Sequence, residues 1–340
     1  MVPDNPNAFM ELIGGAKDLA SVRSLADEVM ALADVNKQRK NLVLGNQFNP
    51  FFVPHAGGGQ GPQLNSFQLQ YFISQVRMAA ANSSTPRIVV SAPMKSGSTF
   101  ISESIGGSFK LPKVSLMMLL ARPYDYAILG AATHAHEVDE LALLNACLMP
   151  SGFVSHHHML CTPFLAKQAE LYNLKFILLK RNIFDCIISL DDFCLKLLAK
   201  VPGAGRYLQM QLPPDWAEME FEARIHQLLN RFLSSYVHYH VSWKLLERAG
   251  AIAPFWISYE GELLGDKGQL AGRICDWLGR GKADSDALSA ALRRDKGLEG
   301  MHFNRGISGR GKVIQGGNRQ RVVSAFDDFK DLADWREILD

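Results

Sequence analysis

The sequence predicts an α/β protein: a three-layer α/β/α arrangement around a mainly parallel central sheet, with a helical extension at the N-terminus. Three observations carry that expectation. Short apolar runs recur at 87–91, 151–160, 174–182 and 253–260, bounded by polar or turn-forming residues. The stretches between them are long enough for helices, and strands alternating with helices favour parallel pairing with ligands at the strands' carboxyl ends. The first run passes directly into "APMKSGSTFISESI", a turn rich in Gly and hydroxyl residues followed by a helix-like segment.

Taken in order, residues 7–44 read as helix. Leu19, Val22, Leu25, Val29, Leu32 and Val35 recur at steps of three or four, and Lys37, Arg39 and Lys40 suit the negative end of the helix dipole. This apolar stripe is expected to pack on the main domain or on a second copy of the chain, making it the candidate contact of a homo-oligomer. The Gly- and Pro-rich "FNPFFVPHAGGGQGPQLN" (48–65) reads as linker. "SFQLQYFISQVRMAAA" then reads as helix and Arg87–Ser91 as the first strand, and "NRFLSSYVHYHVSWKLLERAG" is helical ahead of the run at 253–260. The expected division is an N-terminal extension and linker over 1–85 and an α/β domain over 86–340. No internal repeat is visible.

Composition narrows the function classes. The 340 residues are 47% hydrophobic and 21% charged, with a formal net charge of +2. That is an ordinary globular balance without the basic footprint of a nucleic-acid binder, so any anion must be held by local clusters. The five cysteines, Cys147, Cys161, Cys186, Cys194 and Cys275, form no C-x-x-C pair. Buried free thiols in a reducing compartment are therefore expected, not a disulfide framework or a zinc site. The N-terminus lacks a basic region followed by an apolar core, and no charge-free run approaches the roughly 18–20 apolar residues of a membrane span. A cytoplasmic protein is expected.

The turn after the first strand should cradle an anion. A strand, a Gly-rich turn and a helix place backbone N–H groups around a negative charge. Lys95 adds a mobile cation, and Ser96, Ser98 and Thr99 add hydroxyls around Gly97. The expected fold is thereby P-loop NTPase-like. The usual Gly-Lys-Ser/Thr order is nevertheless absent. With Ala92 and Gly97 set on the two P-loop glycines, Ser98 falls where the lysine would stand, and Lys95 lies two residues before Gly97. No strand ends in an acidic residue suited to holding magnesium, which disfavours triphosphate hydrolysis.

A second segment, "LLKRNIFDCIISLDDF" (178–193), places Arg181 and Asn182 at a strand end and Ser189 eight residues after Arg181 on a helix. Asp185 suits an N-cap or first-turn position. Arg181 has the geometry to fork onto a phosphate, with Ser189 donating from the helix. A surface arginine beside a capped helix is the plainer alternative.

Together these segments resemble the sulfotransferase family, the enzymes that use 3′-phosphoadenosine 5′-phosphosulfate. The family's Pro-Lys-Ser-Gly-Thr-Thr-Trp is matched by "PMKSGSTF", with Met94 inserted and Phe100 in place of Trp. Its Arg-Asn-Pro-x-Asp run, with a Ser eight after the Arg, is matched by Arg181, Asn182, Asp185 and Ser189, with Ile183 in place of Pro. "WISYEGELL" resembles the strand ending in Tyr-Glu, here Tyr259 and Glu260. "NRGISGRGK" resembles the Arg-Lys-Gly-x-x-Gly-Asp-Trp-Lys loop, keeping Arg305, Gly306, Gly309 and Lys312, while Asn304 replaces an arginine and Arg310-Gly311 replace Asp-Trp. The resemblance spans roughly residues 86–315.

The resemblance implies a donor site. Lys95, Ser96, Gly97, Ser98, Thr99 and Phe100 would hold the 5′-phosphosulfate. Arg181, Ser189 and the loop with Arg305 and Gly306 would hold the 3′-phosphate, with Tyr259 beside the nucleotide. It implies 3′-phosphoadenosine 5′-phosphosulfate as co-substrate, 3′-phosphoadenosine 5′-phosphate as product and no required metal. The acceptor would be a small molecule or a glycan, with no nucleic-acid partner. "SHHHMLCTP" (155–163) resembles the family's Lys-Thr-His-Leu-Pro region. On a strand His156 and His158 share a face opposite His157, and His158 is the first choice of general base, His156 the second. Adjacent strand histidines do not converge on one ion, so no metal site is expected. His226, His238 and His240, in a helical run, are expected at the surface or an interface. "LPKVSLMMLLARPYDYAILGAA", with Tyr124 and Tyr126, suits either an acceptor pocket or core. The competing readings are a P-loop nucleotide kinase or hydrolase and a catalytically silent nucleotide-binding scaffold.

Overall fold

The computed structural model describes residues 66–116, 138–147, 149–200, 212–213, 215–293 and 307–340. The expected helix over 7–44, the linker over 48–65, residues 117–132 of the segment with Tyr124 and Tyr126, and Arg305 and Gly306 lie outside these residues. From Val76 onward the described residues belong to one compact unit, while residues 66–75 group with another.

The elements follow in order: α1 (Ser66–Ala81), β1 (Arg87–Ser91), α2 (Ser98–Phe109), β2 (Lys113–Val114), α3 (Glu140–Cys147), β3 (Phe153–His157), α4 (Pro163–Leu171) and β4 (Lys175–Lys180). Then come α5 (Ile183–Lys200), α6 (Phe221–Arg248), β5 (Phe255–Ser258), a π-helical turn (Tyr259–Leu263), α7 (Lys267–Leu278) and α8 (Lys282–Arg293). A 3-10 turn (Arg310–Val313), α9 (Gly316–Ser324), a second 3-10 turn (Asp327–Phe329) and α10 (Arg336–Leu339) complete the order.

The five strands form one parallel sheet in the order β2-β3-β1-β4-β5. The apolar run of β1 explains its place at the centre: all five of its residues are buried, as expected of a parallel strand covered on both faces. Register positions the site. Ser91 pairs with His157 on one side and Leu178 on the other, and Ser258 pairs with Lys180. The chain therefore leaves β1 at Ala92, β3 at His158, β4 at Arg181 and β5 at Tyr259 along one carboxyl edge.

Alternation along the strands divides the core. Ile88, Val90, Ile177, Leu179 and Ile257 pack with Ile101 and Ile105 of α2, Leu270 and Ile274 of α7 and Leu288 of α8. On the opposite face Phe176 meets Trp243 of α6 at a ring separation of 5.0 Å. Helices α5 and α6 share a second core with Ile314, Val322, Phe326 and Trp335 from the C-terminal turns and helices. Rings such as Trp243 and Tyr236, almost wholly buried, each contribute on the order of 2–3 kcal/mol of transfer free energy. The result is the three-layer α/β/α arrangement expected from sequence.

Local chemistry sets the ends of the elements. Thr162 caps α4, accepting from Leu165 N at 3.1 Å, with Pro163 at the first helical position. Asp266 caps α7, accepting from Gly268 N and Gln269 N, and Gly279 at φ 67 ends it. All five cysteines are free and buried, as expected. His226 and His238 are exposed, but His240 is not. It lies three and four residues beyond Val237 and Tyr236 on the buried stripe of α6, stacked near Trp256 and flanked by Phe326 and Trp335. Burial pushes its pKa down to about 3, with Lys180 and Lys244 adding to the effect. The surface expectation for this residue is thus corrected: helical phase, not polarity, placed the ring.

Candidate active site

The loop from Ala92 to Gly97 joins the central strand to α2. Gly97 caps α2 at φ 85, and no side chain caps that end, so the first-turn N–H groups remain for a ligand. A Cβ on Gly97 would sit 3.1 Å from both Leu263 Cδ2 and Tyr259 Cε2. Conformation and space both demand glycine there. Lys95 also has a positive φ, 66°, which for a residue with a Cβ requires support from its surroundings.

That support is visible in the main chain. Tyr239 Oη donates to Ser91 O at 2.8 Å and Tyr236 Oη to Met94 O at 3.2 Å. Arg181 Nη1 donates to Lys95 O at 2.7 Å, and Cys186 Sγ lies 3.8 Å from the same carbonyl. Ser96 Oγ and Cys186 Sγ are 3.5 Å apart. The extra residue in the motif, Met94, finds its place here, giving its carbonyl to Tyr236 and its side chain to the core beneath α5 and α6.

Two histidines reach the loop from β3. His158 Nδ1 lies 2.7 Å from Ala92 O. A carbonyl only accepts, so Nδ1 carries the hydrogen and Nε2 is the basic nitrogen of the neutral ring. His156 Nε2 lies 2.7 Å from Ser98 Oγ, and the two rings meet edge to face at 5.3 Å. His157 turns the other way: its Nε2 accepts from Leu116 N at 3.0 Å, and burial pushes its pKa down to about 3. A neutral imidazole accepting a backbone N–H is a structural group, which sets His157 apart from its neighbours.

Arg181 is buried, with its guanidinium 4.0 Å above the Tyr259 ring. Its terminal nitrogens hold two main-chain carbonyls, Lys95 O and, at 3.3 Å, Ile307 O. Nε is buried and finds no hydrogen-bond partner among the described residues. Lys95 Nζ lies 4.6 Å from the centre of the Phe193 ring. Burial, with Arg181 and Lys196 as like charges, pushes its pKa down to about 8.

Asn182, and not Asp185, caps α5, its Oδ1 accepting from Asp185 N at 3.0 Å. Glu260 accepts from Asn182 N at 3.1 Å. Asp185 sits in the first turn, and its buried carboxylate accepts from Gly309 N at 2.7 Å and Gly311 N at 2.5 Å. Arg310 pairs with Asp192 at 2.7 Å. A Cβ on Gly311 would approach Phe184 Cβ to 2.3 Å. The part of the C-terminal motif that is described, Ile307 to Lys312, is therefore fastened to the first half of α5.

The structure brings Lys95, Ser96, Gly97, Ser98, His156, His158, Arg181 and Tyr259 to one edge of the sheet. Thr99 follows in the first turn of α2, and Phe100 packs against the core below it. Ser189, buried, lies between Cys186 and Phe193 on the stripe of α5 that meets the loop. Phe193 and the tyrosines of α6 are the contacts that sequence reasoning did not single out. For Phe193 the signal was its spacing, four residues past Ser189 on the same helix face. Among the described residues no group of three or more His, Cys, Asp or Glu side chains is placed to hold a metal ion, and no helix is long and apolar enough to cross a membrane.

Fold and site together define an α/β protein with a P-loop-like strand–loop–helix at the carboxyl edge of its central strand. No protein-family model matches the chain, and no curated protein matches it. Among solved structures it is similar to mouse sulfotransferase SULT7A1 complexed with PAP, at 15% identity and a TM-score of 0.45, over 81% of this chain and 91% of that one. It is similar also to retinol dehydratase in complex with androsterone and inactive cofactor PAP, at 17% identity and a TM-score of 0.45, over 75% of this chain and 85% of that one.

Proposed function

We propose that the chain is a sulfotransferase, moving a sulfuryl group from 3′-phosphoadenosine 5′-phosphosulfate to a hydroxyl or amine of a small-molecule or glycan acceptor. The observation that carries this reading is the shared anchorage of Lys95 and His158: one loop supplies the lysine, and its first carbonyl fixes the imidazole's tautomer. In this reading a cation and a base serve a ligand held at the start of α2, which no side chain caps. The buried Nε of Arg181, without a hydrogen-bond partner among the described residues, fits a second anionic group. A nucleotide with separate 5′ and 3′ charges matches two such places.

In this reading the first-turn N–H groups of α2, with Ser96, Ser98 and Thr99, hold the 5′-phosphosulfate. Arg181 offers Nε and exchanges its long contact to Ile307 O for a 3′-phosphate oxygen, with Ser189 donating from α5. The acceptor oxygen or nitrogen attacks sulfur in line, and the bond from sulfur to the 5′-phosphate oxygen breaks. His158 Nε2 takes the acceptor's proton. Lys95 neutralises the charge that grows on the departing phosphate oxygen. The products are the sulfated acceptor, 3′-phosphoadenosine 5′-phosphate and a proton, and no metal is required. Residues 86–340 form the transferase, 1–85 its extension, and the enzyme works in the cytoplasm.

Thermal unfolding with added nucleotide tests this, because a ligand bound only by the folded state raises its stability. The expected result is stabilisation by 3′-phosphoadenosine 5′-phosphate without magnesium. Stabilisation by ATP with magnesium alone would overturn the reading in favour of a kinase or hydrolase.

A further inference from the structure

We propose that Phe193 is a positioning residue for Lys95: its ring face holds the ammonium group beside the loop and favours its charged form. The inference deepens the proposed donor site and rests on Lys95 serving there. One helix face grips the lysine at both ends. Cys186 and Phe193 lie seven residues apart, two turns along α5, so they share a stripe. Cys186 Sγ meets the Lys95 carbonyl at 3.8 Å, while the Phe193 ring centre lies 4.6 Å from Nζ. The backbone between is held by Arg181 at the carbonyl and by Tyr236 at the residue before.

The physical need for such a partner follows from the surroundings. The lysine is largely withdrawn from water, and Arg181 and Lys196 repel its charge. Both effects favour the neutral amine, which cannot neutralise a leaving phosphate. An aromatic face within about 6 Å attracts only the protonated form. It adds no counter-charge that would compete with an anionic ligand, as a carboxylate would. Such a contact corresponds to about half a unit to one and a half units of pKa. With the pKa near 8, as it stands, a fall of one unit would cut the charged fraction at pH 7.5 about threefold.

Titratable groups reach Lys95 and its loop from several elements. From α5 these are Cys186, Cys194 and Lys196, from the end of β4 Arg181, from α6 Tyr236, and from the end of β3 and the turn after β5 His158 and Tyr259. Burial pushes the two thiols up to about 11 and about 12 and raises both phenols. Thiols and phenols therefore stay neutral through pH 9.

The test uses the full chain and two readouts. Trace acetylation with acetic anhydride, followed by mass spectrometry of the Lys95 peptide across pH 6–10, reports the lysine's pKa directly. Calorimetry with 3′-phosphoadenosine 5′-phosphate at pH 7.5 reports its use. In Phe193→Leu the midpoint of Lys95 labelling is expected to fall by at least half a unit and nucleotide affinity by about 1.5-fold for half a unit and about threefold for a full one. In Phe193→Trp, which keeps and strengthens the ring face, the midpoint is expected to stay or rise. An unchanged midpoint in Phe193→Leu, or a Phe193→Trp variant that behaves like it, overturns the proposal. If Phe193→Leu fails to fold, Phe193→Trp decides alone, a fall in its midpoint being the refuting result. A shifted midpoint in a protein that binds no nucleotide would uphold the positioning role and sink the donor assignment, so the two failures are distinguishable.

Discussion

Replacing Asp185 with asparagine removes one charge and changes almost no volume, yet it strikes the fastening between α5 and the C-terminal loop. The carboxylate accepts from Gly309 N at 2.7 Å and Gly311 N at 2.5 Å and is almost wholly buried. Hydrogen bonds to an ionised acceptor contribute about 1.5–3 kcal/mol each. An amide has one acceptor oxygen, so one bond is kept in weaker, neutral form and the other becomes an N–H facing an NH2. Losing that bond and leaving a buried donor unsatisfied gives an expected loss of about 2–4 kcal/mol. Undocking of the loop caps this cost, because its N–H groups then reach water. Urea unfolding measures the first outcome, and hydrogen exchange at the Gly309 and Gly311 amides detects the second. Gly311→Ala supplies an independent break of the same contact, since its Cβ would meet Phe184 Cβ at 2.3 Å. A variant Asp185→Asn within about 0.5 kcal/mol of wild type, with both amides as protected as before, would mean that this carboxylate does not hold the loop.

Three further outcomes are expected. Lys95, with its pKa pushed down to about 8, is charged below that pH and neutral above it, so donor affinity and transfer rate should fall as pH rises through 8; a rate flat to pH 10 would remove the lysine from the chemistry. His157 and His240, both held near pKa 3 by burial, bind protons in the unfolded chain at a higher pH than in the folded one. Stability is therefore full above about pH 6.5 and lost as pH falls toward 3, at up to about 1.4 kcal/mol per pH unit for each histidine; urea midpoints at pH 7 and pH 5 check this, and the double variant His157→Asn/His240→Phe should flatten the slope. His158→Ala should lower kcat by about 10²–10⁴ while leaving nucleotide affinity near wild type, and unchanged turnover would move the base to His156.

Short apolar runs and the helix-like stretches between them marked four of the strands and the longer helices. The strand at 87–91 was legible as a short continuous apolar run passing into a turn, and the segment at 66–81 as a helix-like stretch without Gly or Pro ahead of it. The candidate site was legible where it lies on contiguous sequence, from Lys95 to Thr99 and from Arg181 to Ser189. The histidine run could be divided by strand alternation, with His157 turned away from the loop.

Other features depended on residues far apart in the chain. Asp185 reads as a cap or first-turn residue, and only the return of Gly309 and Gly311 to α5 shows its carboxylate binding a loop 124 and 126 residues away. Arg181 reads as a phosphate ligand, and only the meeting of two loops shows it holding Lys95 O and Ile307 O. The main strands, the anion-seeking loop and the residue types at the sheet's edge are legible in the order of residues, because these follow from local apolar pattern and local hydrogen-bonding capacity. The tautomer of His158 and the placing of Lys95 over Phe193 came only with the packed fold, because each depends on which distant atom occupies the neighbouring space.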